Sequence, residues 1–259
     1  MRLKSILSRA IASTAAGIRP YSKPSNGLRV LNYHSIGNRA FKDDLNLNSL
    51  SKQDFLSHLE LIKSFQVVEF SGSNIPTDET HIAITFDYGY ADNLYVAAPL
   101  LIEFCMPFTV FVTSDFVRCK QIGFLSKAEL RELSSLPGVT IGAHSRTHCD
   151  LTLCDDNSLH SELSDSRSFI EDVIGIGVTS MAYPFGKANL RVKAAVQRCG
   201  YLTAGCSRFD INQPGRDALM LCRSVVLNGD SENVLKQKIL GNWDWYRIRS
   251  PDPLYIKGI

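Results

Sequence analysis

The first 42 residues contain no Asp or Glu. Eight basic residues stand there instead (Arg2, Lys4, Arg9, Arg19, Lys23, Arg29, Arg39 and Lys42), so a formal charge of +2 conceals a basic leader on a net acidic body. An acidic body does not suit nucleic-acid phosphates, and no nucleic-acid partner is expected. The seven cysteines (Cys105, Cys119, Cys149, Cys154, Cys199, Cys206 and Cys222) include no CxxC pair, and their number is odd. A disulfide framework is therefore not indicated. Reduced thiols in the cytosol, most of them small core residues, are the expectation. No uncharged apolar run approaches the ~20 residues that a membrane-spanning helix requires. With no clear secretory signal either, the expected location is cytoplasmic, at most peripheral to a membrane. There is no internal repeat and no low-complexity segment.

What remains is an ordinary globular composition, 44% hydrophobic and 21% charged over 259 residues, enough for one sizeable core. Three regions are expected. In residues 1–26, Leu3, Ile6, Leu7, Ala10, Ile11 and Ala15 fall at helical spacing between basic residues. Such a helix suits an anionic membrane surface through residues 1–19, a mitochondrial-type presequence, or packing on the domain. Pro20, Pro24 and Gly27 mark a linker. Residues 27–240 form the main domain, and 241–259 a tail carrying Trp243-Asp244-Trp245, suited to packing on the body or to sugar stacking.

Within the main domain, strands alternate with helices some seven times. Strands are expected at Leu28–Tyr33, Val67–Phe70, Ile82–Phe86, Phe108–Thr113, Val139–Ala143, Thr179–Tyr183, Leu202–Cys206 and Leu219–Leu227. Helices are expected over Ser51–Phe65, with Ser51 as cap, over Asn93–Cys105, from the capping box Ser126-Lys127-Ala128-Glu129 to about Leu136, and over Asp156–Ile174, Leu190–Arg198 and Ser231–Leu240. Residues 38–50 are polar and read as irregular. The alternation implies an α/β fold with a mostly parallel sheet, doubly wound or closed into a barrel.

Chemistry concentrates just after three of these strands. Ile82 to Asn93 is a buried strand ending in the carboxylate Asp87, a sharp turn at Gly89 and a helix start. His144 and His148 follow the Val139–Ala143 strand, four residues apart, a spacing that lets two imidazoles face one metal ion. Tyr183-Pro184-Phe185-Gly186 ends a third strand.

Taken together, Thr85-Phe86-Asp87-x-Gly89-Tyr90-x-Asp92-Asn93, His144-Ser145-x-x-His148 with Asp150-Leu151-Thr152, and Ala182-Tyr183-Pro184-Phe185-Gly186 resemble the polysaccharide deacetylases of carbohydrate esterase family four, the nodulation-protein-B homology domain. The resemblance runs from about Val30 to Leu240. Leu31-Asn32-Tyr33-His34-Ser35-Ile36 is similar to the Tyr-His segment of the Ala-Tyr-Pro branch. The resemblance implies a distorted (β/α) barrel of about seven units and hydrolysis of an N-acetyl group on a sugar or polysaccharide. By position it implies Asp87 as general base, His144 and His148 as ligands of a divalent metal such as zinc, His34 as the acid that protonates the leaving amine, and the Tyr183 backbone N–H as an oxyanion donor. A metal polarises the amide carbonyl and lowers the pKa of its water, a carboxylate takes the proton, and fixed donors hold the tetrahedral intermediate.

Tyr88 departs from the pattern, standing where the family has its metal-binding Asp. A neutral phenol is a poor zinc ligand. Three outcomes follow: Asp87 moves onto the metal, Asp92 or Asp150 substitutes, or the chain binds metal weakly and is an impaired relative that still holds glycan. Ala182, where many relatives have Arg, agrees with the Ala-Tyr-Pro branch. Arg223, on a late strand, is a candidate to orient Asp87. A structural partner in a biosynthetic complex, held at a membrane by residues 1–19, is a further reading.

Overall fold

The strands of the central sheet bury side chains on both faces, one toward the helices and one toward the interior. In β1 (Gly27–Tyr33), Leu31 and Tyr33 face the helices, while Leu28 and Val30 join Ala83, Phe111, Ala182 and Leu221 in a second cluster. In β5 (Thr80–Phe86), Ile82, Ile84 and Phe86 pack outward and Ala83 inward. A parallel sheet buried on both faces can close into a barrel whose interior is filled by side chains.

The computed structural model describes residues 26–249. The main path of the sheet runs β10-β1-β5-β6-β7-β8-β9, where β6 is Phe108–Val112, β7 Val139–Ala143, β8 Ser180–Ala182, β9 Thr203–Gly205 and β10 Arg223–Val225. All these pairs are parallel. A parallel bridge between Gly205 and Leu221, just before β10, nearly closes the ring. The result is a distorted α/β barrel of seven principal strands.

The capping chemistry legible in the sequence is present. Ser51 accepts from the Asp54 N–H, and Ser126 with Glu129 forms a reciprocal capping box. Helices run over Lys52–Ile62, Lys127–Ser135, Asp156–Ile174, Leu190–Arg198 and Glu232–Ile239. Four expectations change. The strand expected at Val67–Phe70 is the two-residue β4 (Gln66–Val67), and Phe70 plugs the barrel interior instead. Asn93–Cys105 divides into a π-helical turn, Asn93–Ala97, and an α-helix, Ala98–Glu103, with Pro99 in its first turn, where a missing N–H does no harm. The strand expected at Leu219–Leu227 shortens to β10, because Leu219 and Met220 belong to a 3-10 turn, Ala218–Met220, capped by Asp217. Residues 38–50, read as irregular, end in β3 (Ser49–Leu50), which pairs with β2 (Ser35–Ile36).

The helix expected near the N-terminus, within residues 1–19, and the last part of the tail lie outside the described residues. Among the described residues no helix is long and apolar enough to cross a membrane. The start of the tail packs: Trp243 sits beside Phe209, and Asp244 accepts from buried Arg29 at 2.7 and 3.0 Å.

Candidate active site

Asp87 follows β5 on its inward face and is only 4% exposed. Inward-facing neighbours supply its partners. Arg223 donates from Nη1 to Oδ1 at 2.7 Å and from Nη2 to Oδ2 at 3.0 Å, and the Asn32 amide donates to Oδ2 at 2.9 Å. Burial by itself raises the Asp87 carboxyl, but the Arg223 guanidinium and His144 outweigh it and hold it well below the usual carboxylate range. Asp87 is therefore a charged group fixed by a bidentate clamp.

The chain then reverses through two left-handed residues, Tyr88 (φ 77°) and Gly89 (φ 78°). The conformation is cheap for glycine and uncommon for tyrosine. It throws the Tyr88 ring across the imidazoles: it stacks on His148 at 4.4 Å and 28°, meets His144 edge-on at 5.3 Å, and lies 5.7 Å from His34.

His144 ends β7. Its Nδ1 lies 2.8 Å from the Ala182 carbonyl, an acceptor only, so the proton sits on Nδ1 and the Nε2 lone pair faces Asp87 Oδ2 at 3.9 Å. The His148 ring stands 4.7 Å from that of His144 and 4.6 Å from Phe185. Among the described residues, Nε2 of His148 and Nδ1 of His34 are sealed from solvent without a hydrogen-bond partner. Desolvation pushes His34 down to about 4 and, reinforced by neighbouring His144, pushes His148 down to about 3. All three imidazoles, His144 included, are lowered first by burial and are neutral near pH 7.

Three strand-end loops thus bring His34, Asp87, His144 and His148 together, while other expected residues are placed differently. The Tyr183 N–H donates to the Gly205 carbonyl at 3.0 Å, continuing the β8–β9 ladder, and its hydroxyl donates to the Leu219 carbonyl at 2.9 Å. Both donors have partners in this structure. Neither surrogate carboxylate reaches the imidazoles as a ligand. Asp92 accepts from Ser35 at 2.5 Å and from Asn93 at 3.2 Å, and burial raises it to about 6. Asp150 caps Thr152 and pairs with Lys187 at 2.6 Å.

The donor set does not fit a catalytic zinc held by three protein ligands. Among the described residues no three His, Cys, Asp or Glu side chains are arranged so that they could hold one metal ion. Two imidazoles remain, and the nearest carboxylate is already gripped by Arg223 and Asn32. Two site residues escape the sequence reading. Asn32 is one. Glu162 is the other: it lies on the apolar stripe of its helix, in line with Leu159, Leu163, Ser166, Ile170 and Val173. A charged residue on a core-facing stripe is the signal that could have flagged it.

Comparison with known proteins places this geometry. The Bacillus subtilis (strain 168) protein YxkH, named among the polysaccharide deacetylases, is 26% identical over 196 residues, spanning 73% of this chain and 66%, just under two thirds, of that protein. The Streptococcus pyogenes deacetylase PplD, solved with acetate, superposes with a TM-score of 0.73 at 21% identity, covering 84% of this chain and 99% of PplD. IcaB from Ammonifex degensii gives 0.69 at 20% identity over 84% and 98% of the two chains. At these identities the two solved structures establish the fold. The family model described as polysaccharide deacetylase matches residues 74–204, just over half the sequence, from before β5 through β9. The chain belongs to the polysaccharide deacetylase family, hydrolases of carbon–nitrogen bonds other than peptide bonds.

Proposed function

We propose that this protein removes the N-acetyl group from a sugar residue of a glycan, in the synthesis or modification of a surface polysaccharide. The observation that carries the reading is the convergence of Asp87, His34, His144 and His148 at the carboxyl end of one parallel barrel. Water adds to the acetamide carbonyl, the amide C–N bond breaks, acetate leaves, and the freed nitrogen takes a proton. In this scheme Asp87, fixed by Arg223, orients the water and accepts its proton. His34, neutral and facing the same space, relays a proton to the departing nitrogen. His144, its Nε2 lone pair toward Asp87, accepts a hydrogen bond from the water. No step is assigned to a metal ion, because the donor set supplies only an imidazole pair.

One observation favours a second reading. The Tyr88 ring covers His148 where the family places a metal-binding carboxylate. In that reading the chain holds N-acetylated glycan and turns it over poorly or not at all.

Incubation with an N-acetylated oligosaccharide, followed by acetate and free-amine analysis, separates the two. Release that is lost in Asp87→Asn and His144→Ala supports the hydrolase. Binding of the same oligosaccharide with no release supports the second reading.

A further inference from the structure

The loop that carries the two histidines has no regular structure of its own, and both Ser145 (φ 60°) and His148 (φ 63°) sit in the left-handed region. Two such residues in four persist only where the surroundings over-determine them. One side chain does most of this. Glu162, 4% exposed on the helix Asp156–Ile174, accepts the Arg146 N–H at 3.0 Å and the Thr147 N–H at 2.9 Å on Oε2, and the Thr147 hydroxyl at 2.8 Å on Oε1. The loop's other contacts complete the clamp. Ser145 Oγ accepts the His148 N–H at 3.0 Å, and the Ser145 and Arg146 carbonyls accept from Ser114 and Asp115 at 3.3 and 2.9 Å.

From this arrangement we infer that Glu162 is a positioning residue. By collecting the two successive N–H groups between the histidines, it fixes the left-handed turn at His148 and so sets the imidazole against Tyr88 and His144. The carboxylate touches neither histidine ring and no reacting atom. Its work is to replace the hydrogen-bonded ladder that a loop lacks, since buried N–H groups left unpaired are costly. Burial of a charged residue on an otherwise apolar helix stripe is accounted for by this duty. The two N–H groups require an acceptor, and the charge faces the Arg146 guanidinium, whose Nε lies 3.6 Å from Oε1. Glu162→Gln keeps an amide oxygen for both N–H groups, and the Thr147 hydroxyl can turn to accept from the new NH2. Glu162→Leu fills similar space with no acceptor.

The kinetic part of the test rests on the deacetylase reading, and the spectroscopic part does not. In the unaltered full chain, the Arg146 and Thr147 amides should exchange with deuterium at least 100-fold more slowly than free peptide, although Thr147 is exposed and in a loop. The His148 ring protons should show upfield shifts from the stacked Tyr88. In Glu162→Leu those upfield shifts should disappear and kcat should fall at least tenfold, with KM changing less. Glu162→Gln should restore the shifts and bring kcat back to within threefold. Rapid exchange of both amides in the unaltered chain overturns the assignment, and does so even if Glu162→Leu fails to fold. A folded Glu162→Leu with unchanged His148 shifts also overturns it, as does a folded Glu162→Gln as impaired as the Leu variant. Absence of acetate release from the unaltered chain, with exchange and shifts as expected, counts against the deacetylase reading alone.

Discussion

Arg223 grips both oxygens of Asp87, at 2.7 and 3.0 Å, from a strand 136 residues away in sequence. The two are 0% and 4% exposed, so neither charge has water to fall back on. Asn32 and Thr85 offer the guanidinium further acceptors at 3.3 and 3.5 Å, and Nε donates to the Cys206 carbonyl at 3.3 Å. Removing one partner of such a pair strands the other. Arg223→Met should lower the unfolding free energy by about 3–5 kcal/mol, measured by urea denaturation. Arg223→Lys should recover only part of that, because an ammonium cannot engage both oxygens at once. Combining Arg223→Met with Asp87→Asn should cost less than the sum of the single changes. Strict additivity would mean that the clamp carries no coupling.

Acid should destabilise the protein first through its buried histidines and then, below 3.8, through Asp87 as well. His34 and His148 bind protons in the folded chain only near about 4 and about 3, against 6.5 when unfolded. Between those limits the unfolded chain holds more protons, so stability rises with pH and is lost as pH falls from 6.5 towards 4. For His34 the linked loss is on the order of 3 kcal/mol. Asp87 has its folded value depressed, so its contribution is intact above the ordinary value of 3.8 and disappears only below it. Urea midpoints measured from pH 7 to 4 should fall steadily. His34→Asn should flatten that slope, and an unchanged slope in the variant would remove His34 from the account.

Tyr88→Asp should convert the imidazole pair into a metal site. The backbone there has φ 77°, a region that Asp tolerates better than Tyr, so the change relieves strain while it removes the ring stacked on His148. A carboxylate beside two neutral imidazoles makes a three-ligand set of a kind found in hydrolytic zinc sites. Metal analysis after dialysis should give well under one equivalent of zinc for the unaltered chain and near one for Tyr88→Asp. A full, tightly held equivalent in the unaltered chain would show that the pair finds a third ligand without it.

The sequence makes the barrel readable because its signals are local. The short apolar runs Leu28–Tyr33 and Ile82–Phe86, the Ser126–Glu129 capping box and the glycine turn after Asp87 each fix their element within a few residues. Gathering His144, His148 and Asp87 at one end of the sheet follows from parallel strands alone, since every strand-end loop then emerges on the same side. What is not readable depends on distant partners. Glu162 reaches the histidine loop from 15 and 16 residues downstream, and Asn32 reaches Asp87 across 55. The Tyr183 N–H pairs with a neighbouring strand whose register no local pattern states. Phe70 leaves its expected strand because the barrel interior needs a plug, a demand set by tertiary packing.

Gly205 tests whether the Arg223–Asp87 clamp tolerates displacement. It lies in β9 at the bridge that nearly closes the barrel, and a Cβ there would stand 2.6 Å from Arg223 Cδ and 2.7 Å from Nε. An arginine tip at a surface would swing aside. Here the side chain is wholly buried, lies over the Phe111 ring at 5.4 Å and is tied to Asp87 at its far end, so the methyl group must push the guanidinium or the strand. Overpacking of this kind costs about 1–3 kcal/mol. Gly205→Ala should therefore lower the urea midpoint and also reduce acetate release, through a misplaced carboxylate. Gly123→Ala supplies the comparison: its φ is 90° but nothing lies within 4 Å of the added Cβ, so its backbone strain should lower stability without touching the clamp. Equal loss of acetate release in the two variants, once corrected for the folded fraction, would mean that close packing of Gly205 against Arg223 has no bearing on the site.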